Sequence, residues 1–407
     1  MNRTDRLAIP RSMVLVAALA ACGASARADW ARFRGPHGNG VVEDKTFDPA
    51  VAGQGRVLWT AQAGQGYSAL SVAGGRAFTM GNAGGKDSVI CLDAATGQEV
   101  WRHSYDADAG SYPGPRASPW IDGARVYTMG YWGHVCCLDT ATGKPVWEKN
   151  VAKEIGGDTG RWGLAGSPLV VGTTLFLNVG DSGCALDKNT GKVLWAGKGG
   201  PAGYATPIPM QFRGRPHLAI FGAKFLHIVD AATGKIASEH PWETSFDVNA
   251  SDPVPAGNNR MFISSGYGKG CAMLDLTGPR AKEVWRNESI RNHFSSTLIL
   301  GGHLYSCDGN TGKGDLVCLD VATGQEKWRQ KVGFGSLIAI NNLLVYLNER
   351  GDLTIAKASP AGFDRVAGAA ALVTGGKAWT APTFSDGRLF LRNDKGAIAC
   401  VQAGPAK

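Results

Sequence analysis

After the first fifty residues, apolar and polar positions alternate in short runs broken by glycine, aspartate and asparagine, and no stretch keeps the three-and-four spacing of a long amphipathic helix. The pattern predicts strands joined by tight turns. Its clearest unit is Cys137-Leu138-Asp139-Thr140-Ala141-Thr142-Gly143-Lys144-Pro145-Val146-Trp147. Cys137 and Leu138 make a strand that is apolar on both faces, and Trp147 ends the return strand. Between them, Asp139 and Thr142 can bond the turn's own backbone, and Gly143 supplies the positive φ of the reversal.

Copies recur to the C-terminus. Cys91-Leu92-Asp93 runs to Gly97 and Trp101, Ala185-Leu186-Asp187 to Gly191 and Trp195, and Cys318-Leu319-Asp320 to Gly324 and Trp328. Two copies are degraded: Ile228-Val229-Asp230 reaches Gly234 but meets a tryptophan only at Trp242, and Met273-Leu274-Asp275 reaches Gly278 and then Trp285. The turn aspartates step by 46, 48, 43, 45 and 45 residues. A period of roughly 40 to 50 residues holding four short strands predicts a β-propeller.

Seven blades are expected: Tyr67 to Trp101, Ser118 to Trp147, Ser167 to Trp195, Thr206 to Trp242, Ser251 to Trp285, Ser295 to Trp328, and Ser336 to Trp379. The seventh has lost the turn, with Lys357 at the aspartate position. Three strands from Thr383 to Gln402 then lack an outer partner, while the strand around Trp59 lacks inner ones. Joining them closes the ring and removes its open edges. Trp59, Trp101, Trp147, Trp195, Trp242, Trp285, Trp328 and Trp379 count eight blades independently. The fold expected is all-β: an eight-bladed propeller of four-stranded antiparallel blades, a single domain over residues 54–402 behind an extension at 29–53.

The A/C-x-D-x-x-T-G-x-x-x-W pattern resembles the tryptophan-docking repeat of the pyrroloquinoline quinone (PQQ) repeat propellers, over about residues 54–402. The opening Trp30-Ala31-Arg32-Phe33-Arg34-Gly35-Pro36 through Gly40 resembles the start of an uncharacterised group of secreted PQQ-binding-like repeat proteins. The wider superfamily includes quinoprotein alcohol dehydrogenases and the propeller lipoprotein of the barrel-assembly machine of the outer membrane. The resemblance implies the fold; it leaves the role open.

Fifty-seven glycines and 19% charged residues suit many short strands. Residues 1–28 place Arg3, Arg6 and Arg11 ahead of an apolar run from Met13 to Ala21 and end in Ala26-Arg27-Ala28, a secretory signal too short to span a membrane. Two processing routes compete. Cleavage after Ala28 leaves a free chain, whereas Leu19-Ala20-Ala21-Cys22 matches a lipobox and would leave Cys22 acylated. Either route puts the protein outside the cytoplasm, in the periplasm or anchored to a membrane. The net charge of +8 owes three units to residues 1–28, and the remaining cations are scattered, which argues against nucleic acid.

Segments leading into the innermost strands converge on one mouth of the central channel. They bring Tyr67, Arg116, Arg161, Trp162, Tyr204, Asn249, Asp252, Arg291 and His293, and turns reaching the same face add Trp132. Arginines and flat rings around one opening suit an anionic, planar or sugar-like ligand. Adjacent Cys136 and Cys137 invite comparison with the vicinal disulfide of some quinoproteins, but consecutive strand residues face opposite ways, so they are expected to be unbonded core thiols. No metal spacing and no nucleophile elbow is present, and Asp308 to Asp315 reads as a plain turn rather than a calcium loop.

The reading is a monomeric, exported binding module for a small molecule or protein of the cell envelope, with no catalytic residue and no cofactor assigned. Two alternatives stand beside it: a PQQ-dependent alcohol or sugar dehydrogenase using PQQ with calcium, and an outer-membrane assembly scaffold.

Overall fold

Each Asp-x-x-Thr-Gly turn closes on its own aspartate. Asp139 Oδ1 accepts hydrogen bonds from the Ala141 and Thr142 amides and from the Thr142 hydroxyl at 2.9 Å, and Gly143 takes φ 71°. Asp93, Asp187, Asp230 and Asp320 repeat this network. Threonine hydroxyls and turn amides hold these carboxyls below the ordinary range.

The computed structural model describes residues 29–278 and 280–405, and the expectations placed on residues 1–28, Cys22 among them, lie outside the described residues. Strands flanking each turn pair into eight sheets arranged as blades. Blades one to seven begin with the innermost strands Ser71–Ala73, Trp120–Asp122, Leu169–Val171, Ile208–Phe212, Val254–Pro255, Leu298–Leu300 and Gly335–Ile340. Blade eight holds Thr383–Ser385, Arg388–Arg392 and Ala397–Gln402, and its outer strand is Val57–Gln62, antiparallel with Trp59 opposite Cys400. The ring is closed by the N-terminal strand, as the sequence predicts. Arg392 secures the joint: it is buried in blade eight and donates to the Ser68 carbonyl (3.0 Å), the Thr79 hydroxyl and the Met80 carbonyl of blade one.

Apolar cores lie between neighbouring blades. Cys136 packs with Cys91 and Phe78 toward blade one, while Cys137 packs with Leu175 toward blade three, so the two thiols sit in separate cores. The docking tryptophans join these layers. Trp101 lies opposite Cys91, donates its Nε1–H to the Thr140 carbonyl of the next blade (3.0 Å), and covers the turn glycine Gly143. Trp59, Trp147, Trp195 and Trp285 do the same over Gly97, Gly191, Gly234 and Gly324. Trp328 docks on the Ser359 carbonyl of blade seven.

Trp242 and Trp379 are not docking residues. In blade four Ser238 lies opposite Ile228, and in blade seven Ala367 lies opposite Ile355 on the outer strand Arg365–Ala369. The short helix Pro49–Ala52 and the Gly53 after it pack where the seventh tryptophan would stand. The count of eight was right, but two of the tryptophans used to reach it belong elsewhere.

The extension before the ring also has a position. Trp30 bridges Val72 of blade one, the Ala31 carbonyl accepts from the Ile121 amide of blade two, and Val41–Val42 pairs parallel with Ala339–Ile340 of blade seven. Residues 30–42 therefore cross the channel and floor it. Arg34, almost fully buried, donates to the Thr297 carbonyl (2.6 Å) and lies 3.9 Å from Asp252.

Candidate functional site

Strand starts encircle the channel through one another's hydroxyls. The Ala69 amide donates to Ser118 Oγ, Ser118 N to Ser167 Oγ, Ser167 N to Thr206 Oγ1, and Thr206 N to Asp252 Oδ1 at 2.8 Å. This belt links blades one to five, so Ser118, Ser167 and Thr206 are primarily structural.

Above the belt and the floor lies a cavity of about 410 Å³. Seven of the ten residues expected at the mouth line it: Tyr67, Arg116, Arg161, Trp162, Tyr204, Asp252 and His293. The other three are elsewhere. Asn249 is buried and donates to the Gly222, Ala223 and Trp242 carbonyls, so it ties blade four to blade five. Arg291 forms a two-pronged bond to Asp308 and Trp132 donates to the Asp108 carbonyl, and neither lines the cavity. Asp308 shows how that pair is held: burial opposes its ionisation, but Arg291 and Arg329 keep its carboxyl below the usual range.

Within the cavity, Arg116 bonds the Gly114, Ser111 and Tyr112 carbonyls and lies over the Tyr67 and Tyr131 rings at 5.3 and 4.7 Å. Arg161 differs. Its guanidinium is over Trp162 (5.1 Å) and Phe246 (5.4 Å), and among the described residues no carboxylate pairs it. Tyr67 stacks on Trp379 at 5.7 Å, and His293 is held between Asn310 Oδ1 (2.8 Å) and the Tyr267 hydroxyl (3.1 Å). Burial pushes the Asp252 carboxyl up to about 6 against the pull of Arg34, and its Oδ2 has no hydrogen-bond partner.

The sequence reading missed Tyr112, Trp379, Phe294 and the whole floor of Trp30, Phe33 and Arg34. Trp379 was hidden by its apparent place in the repeat, and the floor by having no strand alternation.

A floored cavity on the axis of eight blades, six of them docked by tryptophan, is an arrangement that can be compared with known proteins. A family model described as outer membrane protein assembly factor BamB matches residues 39–117 and 85–330. The chain belongs to this PQQ-repeat propeller family. Among curated proteins no sequence matches it. Solved structures share the fold at low identity. BamB from Moraxella catarrhalis is 16% identical with a TM-score of 0.64, over 85% of this chain and 99% of that one. Quinohemoprotein alcohol dehydrogenase from Comamonas testosteroni is 14% identical with a TM-score of 0.71, over 93% and 81%. The computationally designed Ika8 protein gives 13% and 0.61, over 85% and 98%. These likenesses concern fold alone, and the site must be argued from its own residues.

Proposed function

We propose that this PQQ-repeat propeller is a non-catalytic binding module of the cell envelope, whose cup takes a small anionic ligand bearing a flat aromatic or sugar ring. Arg161 carries the reading: an exposed guanidinium, unpaired by any described carboxylate, stands over aromatic rings at the rim of a cavity with a closed floor. Such a cation forms two parallel hydrogen bonds to a carboxylate or phosphate, while Trp162, Tyr67 and Trp379 offer faces for stacking. The volume of about 410 Å³ lies in the range of small-molecule sites, roughly 300 to 1,000 Å³. Envelope placement draws on the secretory pattern of residues 1–28 and on the family's name.

A PQQ dehydrogenase would require a calcium ion held by about six to eight oxygens and a free carboxylate base. Among the described residues the lining offers one carboxylate, Asp252, which accepts from the Thr206 amide and faces Arg34. These residues do not fit that cofactor pair.

The test uses the fluorescence of Trp162 and Trp379 in the purified protein, titrated with aryl carboxylates, aryl phosphates and uronic acids. At least one class should quench saturably, with affinity about tenfold weaker in Arg161→Ala, equivalent to about 1.4 kcal/mol. Absence of saturable binding by every class would overturn the proposal. So would stoichiometric uptake of PQQ with calcium followed by alcohol-dependent dye reduction.

A further inference from the structure

We propose that His103, Cys136 and Glu148, joined by His134, bind one zinc-class divalent cation in the seam between blades one and two. No two of these residues stand at a metal-motif spacing, and the fold brings them together. His103 lies on the outer strand Glu99–Asp106 of blade one, Glu148 on the outer strand Pro145–Asn150 of blade two, and His134 and Cys136 on the neighbouring strand His134–Asp139. One carboxylate oxygen is the hub: Glu148 Oε2 is 2.8 Å from His103 Nε2, 3.9 Å from Cys136 Sγ and 3.8 Å from His134 Nε2. The donor atoms of His103, Cys136 and Glu148 all lie within 4.8 Å of one another.

A second observation points to the same place. Among the described residues, His134 Nε2 is a buried nitrogen with no hydrogen-bond partner, and it faces the Glu148 carboxylate across 3.8 Å. Tyr105 stacks on the His134 ring at 4.0 Å, which fixes the imidazole with Nε2 toward Glu148. Among the described residues, the other histidine–glutamate pairs, His227 with Glu239 and His240 with Glu283, gather no third metal donor, and the second faces Arg286 and Lys269.

Imidazole, thiolate and carboxylate are the donors that zinc takes at about 2.0 to 2.3 Å, which sets tetrahedral donor atoms about 3.3 to 3.6 Å apart, so the His103–Glu148 pair at 2.8 Å must open and the Cys136 sulfur at 3.9 Å must close in around the ion. As the sulfur–metal bond forms, the Cys136 thiol releases its proton to solvent. Glu148 and His103 are partly exposed, which gives the ion a way in. Bound there, the metal would tie two blades together far from the channel.

The experiment titrates the purified protein with zinc(II) and with cobalt(II) as its spectroscopic stand-in. One equivalent should bind, cobalt should show a thiolate charge-transfer band, and zinc should raise the melting temperature. Cys136→Ser should abolish the band, Cys137→Ser should keep it, and Glu148→Gln should weaken binding at least tenfold. No stoichiometric binding, or a band that survives Cys136→Ser or disappears in Cys137→Ser, would overturn the site. Should the Cys136 variant fail to fold, the partly exposed His103→Gln decides the matter: a tenfold loss of affinity supports the proposal and unchanged affinity defeats it.

Discussion

Gly143 is constrained twice. Its φ of 71° is one that only glycine adopts freely, and an added Cβ would stand 2.6 Å from the Trp101 ring. Gly123 shares the first constraint with φ 56° but has nothing within 4 Å. The left-handed backbone should cost an alanine about 1 kcal/mol at either position, and the clash should add about 1 to 3 kcal/mol at Gly143 alone. Urea denaturation of Gly143→Ala and Gly123→Ala measures the difference, and equal losses would mean that docking does not restrict the turn. Titration supplies a second expectation. Burial raises Asp87 and Asp252 to about 6, so between pH 4 and 6 the folded chain holds protons that the unfolded chain has released. Stability should be greatest near the lower end of that window and fall as pH rises through it. Asp87→Asn should reduce this slope, and an unaltered slope would show that Asp87 does not titrate there. At this scale the sequence was more legible than the reading made of it. Docking tryptophans follow their turn glycine by four positions, as Gly97 and Trp101 or Gly191 and Trp195 do, except Trp285, which an insertion after Gly278 delays to seven. Four positions after Gly234 is Ser238, the residue that does sit in the docking place.

Strands with a regular alternation and a glycine turn could be read directly, and the orphan strand at Trp59 could be assigned because an unpaired edge is costly. Residues 30–42 could not, because they meet the blades through a bridge at Trp30, one buried arginine and a two-residue parallel pairing, too short to leave a period in the sequence. The closing strand has a measurable weight. Trp59 is buried and donates to the Ala94 carbonyl at 3.2 Å. Trp59→Ala should therefore cost about 3 to 5 kcal/mol, whereas Trp59→Phe, which keeps most of the ring volume, should cost less. Unchanged thermal unfolding of the alanine variant would show that closure contributes little to stability.

For the whole molecule, convergence of strand starts on one mouth followed from topology, which is why Tyr67, Arg116, Arg161, Trp162, Tyr204, Asp252 and His293 were found together. Whether that mouth opened into a pore or a cup did not follow, because the floor comes from outside the repeat. The closure has a further consequence, for the order of events as the chain folds. Arg56 and Gln402 meet across the joint although they are 346 positions apart. Contacts inside each blade are local and form early, whereas this one waits on the loop-closure entropy of nearly the entire chain. The first blade strand made is thus the last to find its partner. Until residues 397–402 exist, a tryptophan-bearing sheet edge has nothing to pair with, and a chain cut short anywhere before them is left with an unfinished ring and an adhesive strand.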